Sequence, residues 1–292
     1  MNFDTFINTA WTDHGDHPQE VADRLALSLH LVTAAEHIPP YARVLTHVYG
    51  EHLGQWSRGI ELLHSLRGLP VFIDGASAGG ALDRNIATLR YAGGDDAVLA
   101  TLGRDDRIAV LAAAASAFSG QLGFRRAIAV YAQALELAAP GLARDSPANR
   151  ALAVGGNNLA EALEAKSDRD AFETDAMIAA ANGGLAYWKV AGTWLEEERA
   201  EYRLTRSLLK AGRHAAAIQS AMRCVDVCAR NDAPVIERFY GYVVLALAQR
   251  ANGDPIAFAA SRETALALHE QIPADEKQWC VSEIAELRAG DG

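Results

Sequence analysis

The chain has 292 residues, of which 50% are hydrophobic and 22% are charged, and its formal net charge is -10 at pH 7. This composition predicts a folded chain with a buried core and excludes a largely disordered one. The acidic balance argues against nucleic-acid binding as the main role, because phosphate groups are bound by clustered Lys and Arg.

The cysteine content and the apolar runs favour a protein of the reducing cytoplasm. The cysteines, Cys224, Cys228 and Cys280, are too few for a disulfide framework. Residues 1–16 lack the basic start and apolar run of a signal peptide. No apolar run reaches the ~20 residues that span a bilayer. We therefore expect a cytoplasmic protein that makes no membrane contact.

Residues 1–40 are predicted to form an N-terminal helical cap. Aromatic residues within 1–16 indicate a short helix. A second helix is predicted over 18–36, because Pro18 suits a first helical turn and apolar residues follow at helical spacing. The Ile-Pro-Pro segment at 38–40 is expected to stop that helix.

Residues 41–271 alternate between amphipathic segments and short turns, which is the pattern of a helix-turn-helix repeat. The predicted helix pairs are 41–52 with 55–66, 105–120 with 124–138, 147–166 with 171–190, the two halves of 193–230, and 235–252 with 255–271. Segment 69–83 is rich in Gly and is expected to be a loop. Weaker helical spacing follows in 83–92 and 97–102, and 272–292 is expected to contain a C-terminal capping helix.

The order of residue types in 116–140 resembles the consensus of the tetratricopeptide repeat (TPR) family. The matching residues are Phe118, Phe124, Ala127, Ile128, Tyr131, Ala134, Leu135 and Pro140. Similar patterns recur in 202–225 and 244–268, so the resemblance covers most of 40–271. It implies an all-α fold, a right-handed α-α superhelix of antiparallel helix hairpins, in one solenoid domain over 1–292. It also implies a scaffold that binds a protein or peptide partner in a concave groove.

A basic cluster interrupts this acidic sequence. Residues 199–230 hold seven Arg and Lys against two acidic residues, a local excess of five charges. Arg199, Arg203 and Arg206 step by three or four and therefore share one side of a helix. Arginines in such an array suit a carboxylate or phosphate ligand, or alternatively an ion network with neighbouring helices. The acids available to that network are Glu161, Glu164, Glu196, Glu197, Glu198 and Glu201.

In peptide-binding members of the TPR family, an Asn and two basic residues four apart hold the terminal carboxylate of a peptide. The resemblance places Asn158, Arg199 and Arg203 at similar positions, whereas Ala112 and Ser116 depart from the pattern of the preceding repeat. It implies a partner with an acidic or carboxylate-bearing segment. The predicted ligand-binding residues are Asn158, Arg199, Tyr202, Arg203, Arg206 and Lys210, with Trp188 or Trp194 as an apolar anchor.

Histidines concentrate near the start of the chain, where 1–64 holds seven of the nine. The alternative metal ligands are His14, His17, His47 and His52. His47 and Glu51 stand four apart on a predicted helix, a spacing that presents two ligands to one ion. The HExxH pattern of zinc peptidases is absent from the sequence. Helix capping and packing against Trp11 and Trp56 are the competing roles for these side chains.

An alternative enzymatic interpretation rests on the G-x-S-x-G pattern at 75–79, with Ser77 as the nucleophile. The pattern follows a strand-like segment at 71–73, but a hydrolase of this type needs a parallel sheet that no other segment supplies. A glycine-rich turn explains the same residues. Cys224 and Cys228 lie four apart on an apolar stripe and are expected to pack in the core.

The pattern as a whole favours a non-catalytic scaffold. No phosphate-binding loop, dinucleotide fingerprint or calcium-binding loop occurs in the sequence, so we expect no cofactor. The predicted partner is a protein or peptide, and neither nucleic acid nor a membrane. Two alternatives stay open: an enzyme that uses Ser77 or the histidines, and a body whose main role is homo-oligomerisation.

Overall fold

The computed structural model describes residues 1–73 and 77–289, and this part of the chain contains α-helices and short helical turns but no β-strand. The helices are α1 Phe3–Asp13, α2 Pro18–Leu27, α3 Ile38–Thr46, α4 Trp56–Arg67, α5 Ser77–Ala92, α6 Arg104–Gly120, α7 Phe124–Ala138, α8 Pro147–Ala165, α9 Ala171–Ala191, α10 Trp194–Lys210, α11 His214–Arg230, α12 Val235–Ala251, α13 Pro255–Gln271 and α14 Val281–Arg288. The fold class is therefore all-α, as predicted. None of these described helices combines the length and apolar composition that a membrane span requires.

The chain divides into two compact units, Met1–Gly155 and Gly156–Gly292, and the division falls within α8. In the N-terminal unit α6 packs against α7, and α5 packs against α3, α4 and α6. In the C-terminal unit α10 packs against α9 and α11, and α12 packs against α11 and α13. These are the antiparallel pairings of a TPR-like α-α superhelix. The arrangement of cap, repeats and capping helix in a single domain over 1–292 stays a prediction.

The helix pairs predicted beyond residue 100 are confirmed within about two residues at each end. The α10–α11 hairpin shows how local signals set these bounds. Thr193 and Glu196 form a capping box at the start of α10. Gly212 adopts a φ of +68° after that helix, and the Arg213 amide donates to the Leu208 carbonyl at 2.8 Å. This left-handed turn ends α10 and favours glycine, which has no Cβ to strain.

The N-terminal cap differs from its prediction in two places. The helix predicted over 18–36 ends at Leu27, and two turns of 3-10 helix, Leu29–Leu31 and Ala35–His37, follow it. The β-branched residues after position 31 have weak helix propensity, and Val32 is buried in the core instead of extending the helix. The stop predicted at 38–40 is also wrong. Those prolines occupy the first turn of α3, where a missing N–H costs no hydrogen bond.

The helix predicted over 41–52 is α-helical only as far as Thr46. After α3 the chain forms a π-helical turn, His47–His52, in which the Leu53 amide donates to the Val48 carbonyl at 3.1 Å. A close backbone approach packs this turn against α6, since a Cβ on Gly120 would lie 2.3 Å from the Glu51 carbonyl oxygen. Single π-helical turns inside α-helices occur frequently at functional sites. The turn is therefore a candidate position for a site.

The loop predicted over 69–83 is shorter than expected, because α5 already begins at Ser77. Residues 71–73 contain a turn and no strand, so the strand-like interpretation of this segment is wrong. The first part of the G-x-S-x-G pattern, 75–76, lies outside the described residues. Ser77 itself is the exposed first residue of a helix. Among the described residues, no sheet supports the strand-to-helix turn that a hydrolase nucleophile requires.

Candidate functional sites

Helix α10 carries the largest group of predicted binding residues on the side that turns toward α8, α12 and α14. We call Arg199, Tyr202, Arg203 and Arg206 the basic face of α10. Each of the four contacts an acidic side chain of another helix. The local excess of positive charge in the sequence is therefore offset by carboxylates that fold onto it.

Arg203 joins α10 to α8 through two carboxylates. Its Nη1 donates to Glu164 Oε2 at 2.7 Å, and its Nη2 lies 2.8 Å from Glu161 Oε1. The Ser207 hydroxyl donates to the other oxygen of Glu164 at 2.6 Å. Burial raises the pKa of Glu164, and the Arg203 guanidinium opposes that shift. Arg203 thus compensates a carboxylate that is nearly removed from water, which makes it a structural member of the face.

Arg206 and Tyr202 hold the C-terminal helix α14. The Arg206 guanidinium donates to both oxygens of Glu286, at 2.7 and 2.9 Å. The Tyr202 hydroxyl donates to Glu283 Oε1 at 3.2 Å. Paired hydrogen bonds of this kind are a strong and orientation-specific way to hold a carboxylate. Two glutamates of an amphipathic helix therefore bind the basic face within the same chain.

Other contacts of the same region come from α12. The Tyr240 hydroxyl donates to the Trp279 carbonyl at 2.8 Å, and Arg250 donates to the carbonyls of Glu286 and Ala289 at 2.9 and 2.8 Å. These donors bind backbone carbonyls in the short helical turn before α14 and at the end of α14. The C-terminal helix is thus held by its backbone on α12 and by its carboxylates on α10.

Arg199 is the most exposed member of the basic face, with 61% of its side chain accessible. Its Nη2 donates to Glu237 Oε1 at 2.5 Å. On the adjacent residue of α10, Glu198 Oε1 accepts a hydrogen bond from the buried Cys224 thiol at 3.0 Å. Burial raises the pKa of Glu198 to about 8, and the nearby Glu237 carboxylate adds to the shift. Cys224, like Cys228, is buried in the core as predicted.

The two remaining predicted ligands lie at the edges of this region. Asn158 is half-buried on α8, one turn before Glu161, and Lys210 is exposed at the last residue of α10. The sequence analysis missed Glu237, Glu283 and Glu286 as partners of the basic face, because they lie at least 38 residues away along the chain. The one available signal was the spacing of three between Glu283 and Glu286, which places both on one side of a helix.

The two predicted apolar anchors, Trp188 and Trp194, lie on a different side of α10. They line a cavity of about 370 Å³ with the Arg230 side chain, bordered by α9, α10 and α11. Nearby, Lys189 Nζ lies 3.5 Å from Glu201 Oε1. Neither Arg203 nor Arg206 lines this cavity. The tryptophans therefore do not share a surface with those two arginines.

The N-terminal unit brings together three of the four histidines of the alternative metal set. His14 is the residue that caps the end of α1, and His47 and His52 are the two ends of the π-helical turn. One ring nitrogen of each lies within 4.8 Å of the others. Burial lowers the pKa of His14 and of His52, and the neighbouring His47 adds to both shifts. His17 is exposed and lies apart, 3.9 Å from Glu20.

No model of a protein family matches the sequence, and no curated protein matches it. Solved structures do match. A protein of Podosopora anserina assigned as a kinesin light chain, with nearly identical TPR-like repeats, is 16% identical with a TM-score of 0.51, over 79% of this chain and 94% of that chain. A single-substitution variant of that protein gives 16% identity and 0.49, over 88% and 97%. BtubC (BKLC) of P. vanneervenii gives 15% and 0.48, over 75% and 89%. The fold of this chain is thus that of the TPR-like helical repeats, which confirms the family resemblance at the level of the fold.

Proposed function

We propose that this protein is a non-catalytic scaffold that binds an acidic helical segment of a protein partner on the basic face of α10. The observation that supports the proposal is the contact between this face and α14. There Arg206 donates two hydrogen bonds to Glu286, and the Tyr202 hydroxyl donates one to Glu283. A face that accepts an acidic helix in the same chain has the chemistry to accept one from another protein.

The members of the face have different roles in this proposal. Arg206 and Tyr202 make the carboxylate contacts, and Glu286 remains 39% exposed, so its pairing can exchange with that of a partner. Arg199, although paired with Glu237, has an exposed side chain at one end of the site. Lys210, outside the face, is an exposed cation at the other end. Arg203 pairs with Glu164 and so joins α10 to α8, which fixes the position of the face. Recognition of an amphipathic helix on a helical surface is an established mode of peptide binding.

A synthetic peptide tests the proposal. The probe is a fluorescein-labelled peptide with the sequence of residues 277–289, and the protein is the full chain with Glu283→Gln and Glu286→Gln, which weakens the internal contact. We expect this variant to bind the peptide more tightly than the unchanged chain does, measured by fluorescence anisotropy. Adding Arg206→Met should abolish the gain, because the paired hydrogen bonds are lost.

Two controls make the result specific. A peptide in which both glutamates are replaced by glutamine should bind weakly to every form of the protein. Arg213→Met, at an exposed basic position in the turn after α10, should leave peptide binding unchanged. The proposal would be contradicted if Arg206→Met left the peptide affinity of the Glu283→Gln, Glu286→Gln variant unchanged. It would also be contradicted if that variant did not bind the peptide at all.

A further inference from the structure

The histidine cluster of the N-terminal unit has a geometry that the scaffold function does not use. We infer that His14, His47 and His52 form a binding site for one divalent transition-metal ion, with zinc as the expected ion. The three side chains come from two separate segments, the end of α1 and the π-helical turn after α3. Their ring centroids lie 4.8 to 5.0 Å apart, and the rings are steeply inclined to one another.

The distances between nitrogens fit one ion. Zinc–nitrogen bonds of 2.0–2.1 Å in a tetrahedral site place two ligand nitrogens about 3.3 Å apart. The Nε2 atoms of His47 and His52 lie 3.1 Å apart. One ring nitrogen of His14 lies within 4.8 Å of a ring nitrogen of each of the other two histidines. Three histidine nitrogens at this separation can supply three arms of a tetrahedral site once they close on an ion.

Two of the three rings are already oriented by a second contact. His14 Nδ1 lies 2.6 Å from the Trp11 carbonyl oxygen, and His47 Nδ1 lies 2.9 Å from Glu51 Oε2. A carbonyl oxygen only accepts hydrogen bonds, so His14 Nδ1 carries the proton and leaves the Nε2 lone pair of that ring for a metal. The Glu51 carboxylate favours a proton on His47 Nδ1 in the same way, and that tautomer leaves the His47 Nε2 lone pair for the ion. Carbonyl or carboxylate partners of this kind accompany almost every metal-binding histidine.

The π-helical turn explains why these particular residues meet. In a regular α-helix, positions five apart point about 140° away from each other, because each residue turns the helix by about 100°. The wider π-helical turn brings His47 and His52 onto one side. Glu51, which helical spacing suggested as a ligand beside His47, instead takes the supporting position on His47 Nδ1.

The donor set selects the class of ion. Imidazole nitrogens suit zinc, copper or nickel, whereas magnesium and calcium require oxygen ligands. Three protein ligands leave a fourth position for water. The side chains of His47 and Glu51 are 18% and 20% exposed, which gives an ion a path from solvent. The bound ion would link the end of α1 to the π-helical turn, and so stabilise the N-terminal unit.

Metal titration of the full chain tests this inference. After dialysis against EDTA, isothermal titration with zinc chloride should show one ion bound per chain, and cobalt should give the visible absorption of a tetrahedral nitrogen site. His52→Ala and His14→Asn should each lower zinc affinity roughly 100-fold or more, because each removes one of three ligands. Glu51→Gln should lower it about 10- to 100-fold, as the loss of supporting contacts does.

His17→Ala is the matched control, because His17 lies close in sequence to His14 but outside the cluster. This variant should bind zinc as tightly as the unchanged chain does. Circular dichroism separates loss of binding from loss of folding. If His52→Ala fails to fold, His14→Asn at the end of α1 decides the question. Absence of stoichiometric zinc binding by the unchanged chain would overturn the inference, and so would unaltered zinc affinity in the folded His14→Asn variant.

Discussion

The basic face of α10 and the histidine cluster differ in what surrounds them. Each arginine of the face reaches a carboxylate on another helix, such as Glu164, Glu237 or Glu286. The three histidines face one another, with one carboxylate, Glu51, beside His47, and the Nε2 atoms of His47 and His52 lie 3.1 Å apart. The difference shows that a concentration of charge in the sequence does not by itself mark an unoccupied site.

Solvation explains the contrast. An arginine keeps its charge at every accessible pH, so a chain that buries one must supply a carboxylate or lose several kcal/mol of hydration. A histidine can become neutral on burial, and its lone pair then remains available to an ion. Burial therefore gives part of the basic face a structural role in ion pairs. In the histidine cluster, burial favours neutral rings that can bind a ligand.

The largest expected effect comes from removing the cation that neutralises Glu164, an acid largely removed from water at the basic face. Arg203→Met leaves the Glu164 carboxylate, 8% exposed, with the Ser207 hydroxyl as its remaining hydrogen-bond donor among the described residues. We expect a loss of about 3–5 kcal/mol in the free energy of unfolding, measured by urea denaturation. Lys210→Met, at an exposed position of the same helix, is the control. A loss that Glu164→Gln does not partly restore in the double variant would contradict this account.

A smaller effect is expected where the π-helical turn meets α6. In Gly120→Ala the new Cβ would lie 2.3 Å from the Glu51 carbonyl oxygen, so the backbone of the turn must move. Crowding of this kind costs about 1–3 kcal/mol, and it should also weaken zinc binding by displacing His52. Thermal unfolding with and without zinc measures both effects. Gly103→Ala, with nothing near its Cβ, is the control and should retain zinc affinity.

Glu198 gives the C-terminal unit a pH dependence. Its pKa is about 8 in the folded chain, whereas the ordinary value is 4.5. The folded state therefore binds this proton more tightly than the unfolded state does, so the stabilisation is complete below pH 4.5 and is lost as the pH rises toward 8. The slope from one proton is at most about 1.4 kcal/mol per pH unit.

Glu198→Gln should flatten the dependence between these values, since glutamine has no proton to lose. Urea midpoints recorded at several pH values measure the slope for both forms. The buried Glu164, whose pKa is also raised, should keep a shallower slope of the same sign in the variant. An unchanged slope would show that Glu198 is not the group responsible.

The smallest effect is expected at a pair exposed to solvent in the N-terminal unit. Arg24 Nη2 lies 2.7 Å from Asp13 Oδ2, with 40% and 33% of the two side chains exposed. Exposed pairs contribute about 0–1 kcal/mol, so Arg24→Ala should hardly change the thermal midpoint. Zinc affinity should also stay the same, because the contact of Arg24 is with Asp13 and not with the three rings. A large fall in either quantity would show that the N-terminal unit depends on charge as the C-terminal one does.

The sequence predicted the helix hairpins beyond residue 100 well, because the signals that set the ends of these helices lie within the helices and their turns. Apolar spacing, the capping box at Thr193 and the glycine at 212 act within a few residues of each helix end. The sequence analysis was wrong where a contact with a distant part of the chain determines the local structure. The π-helical turn fits against Gly120, about 70 residues away, and spacing within 41–52 alone predicts an ordinary helix there.

The sequence by itself determined the all-α class, the repeat of helix hairpins and the residue types of both candidate sites. Only the tertiary structure decided which side chains lie together. Arg206 binds Glu286, 80 residues away, and His14 lies beside His47 and His52, whereas His17 lies outside that cluster. Local periodicity follows from backbone geometry that each segment carries within itself. Pairing between distant side chains depends on how the helices pack, and no short stretch of sequence contains that information.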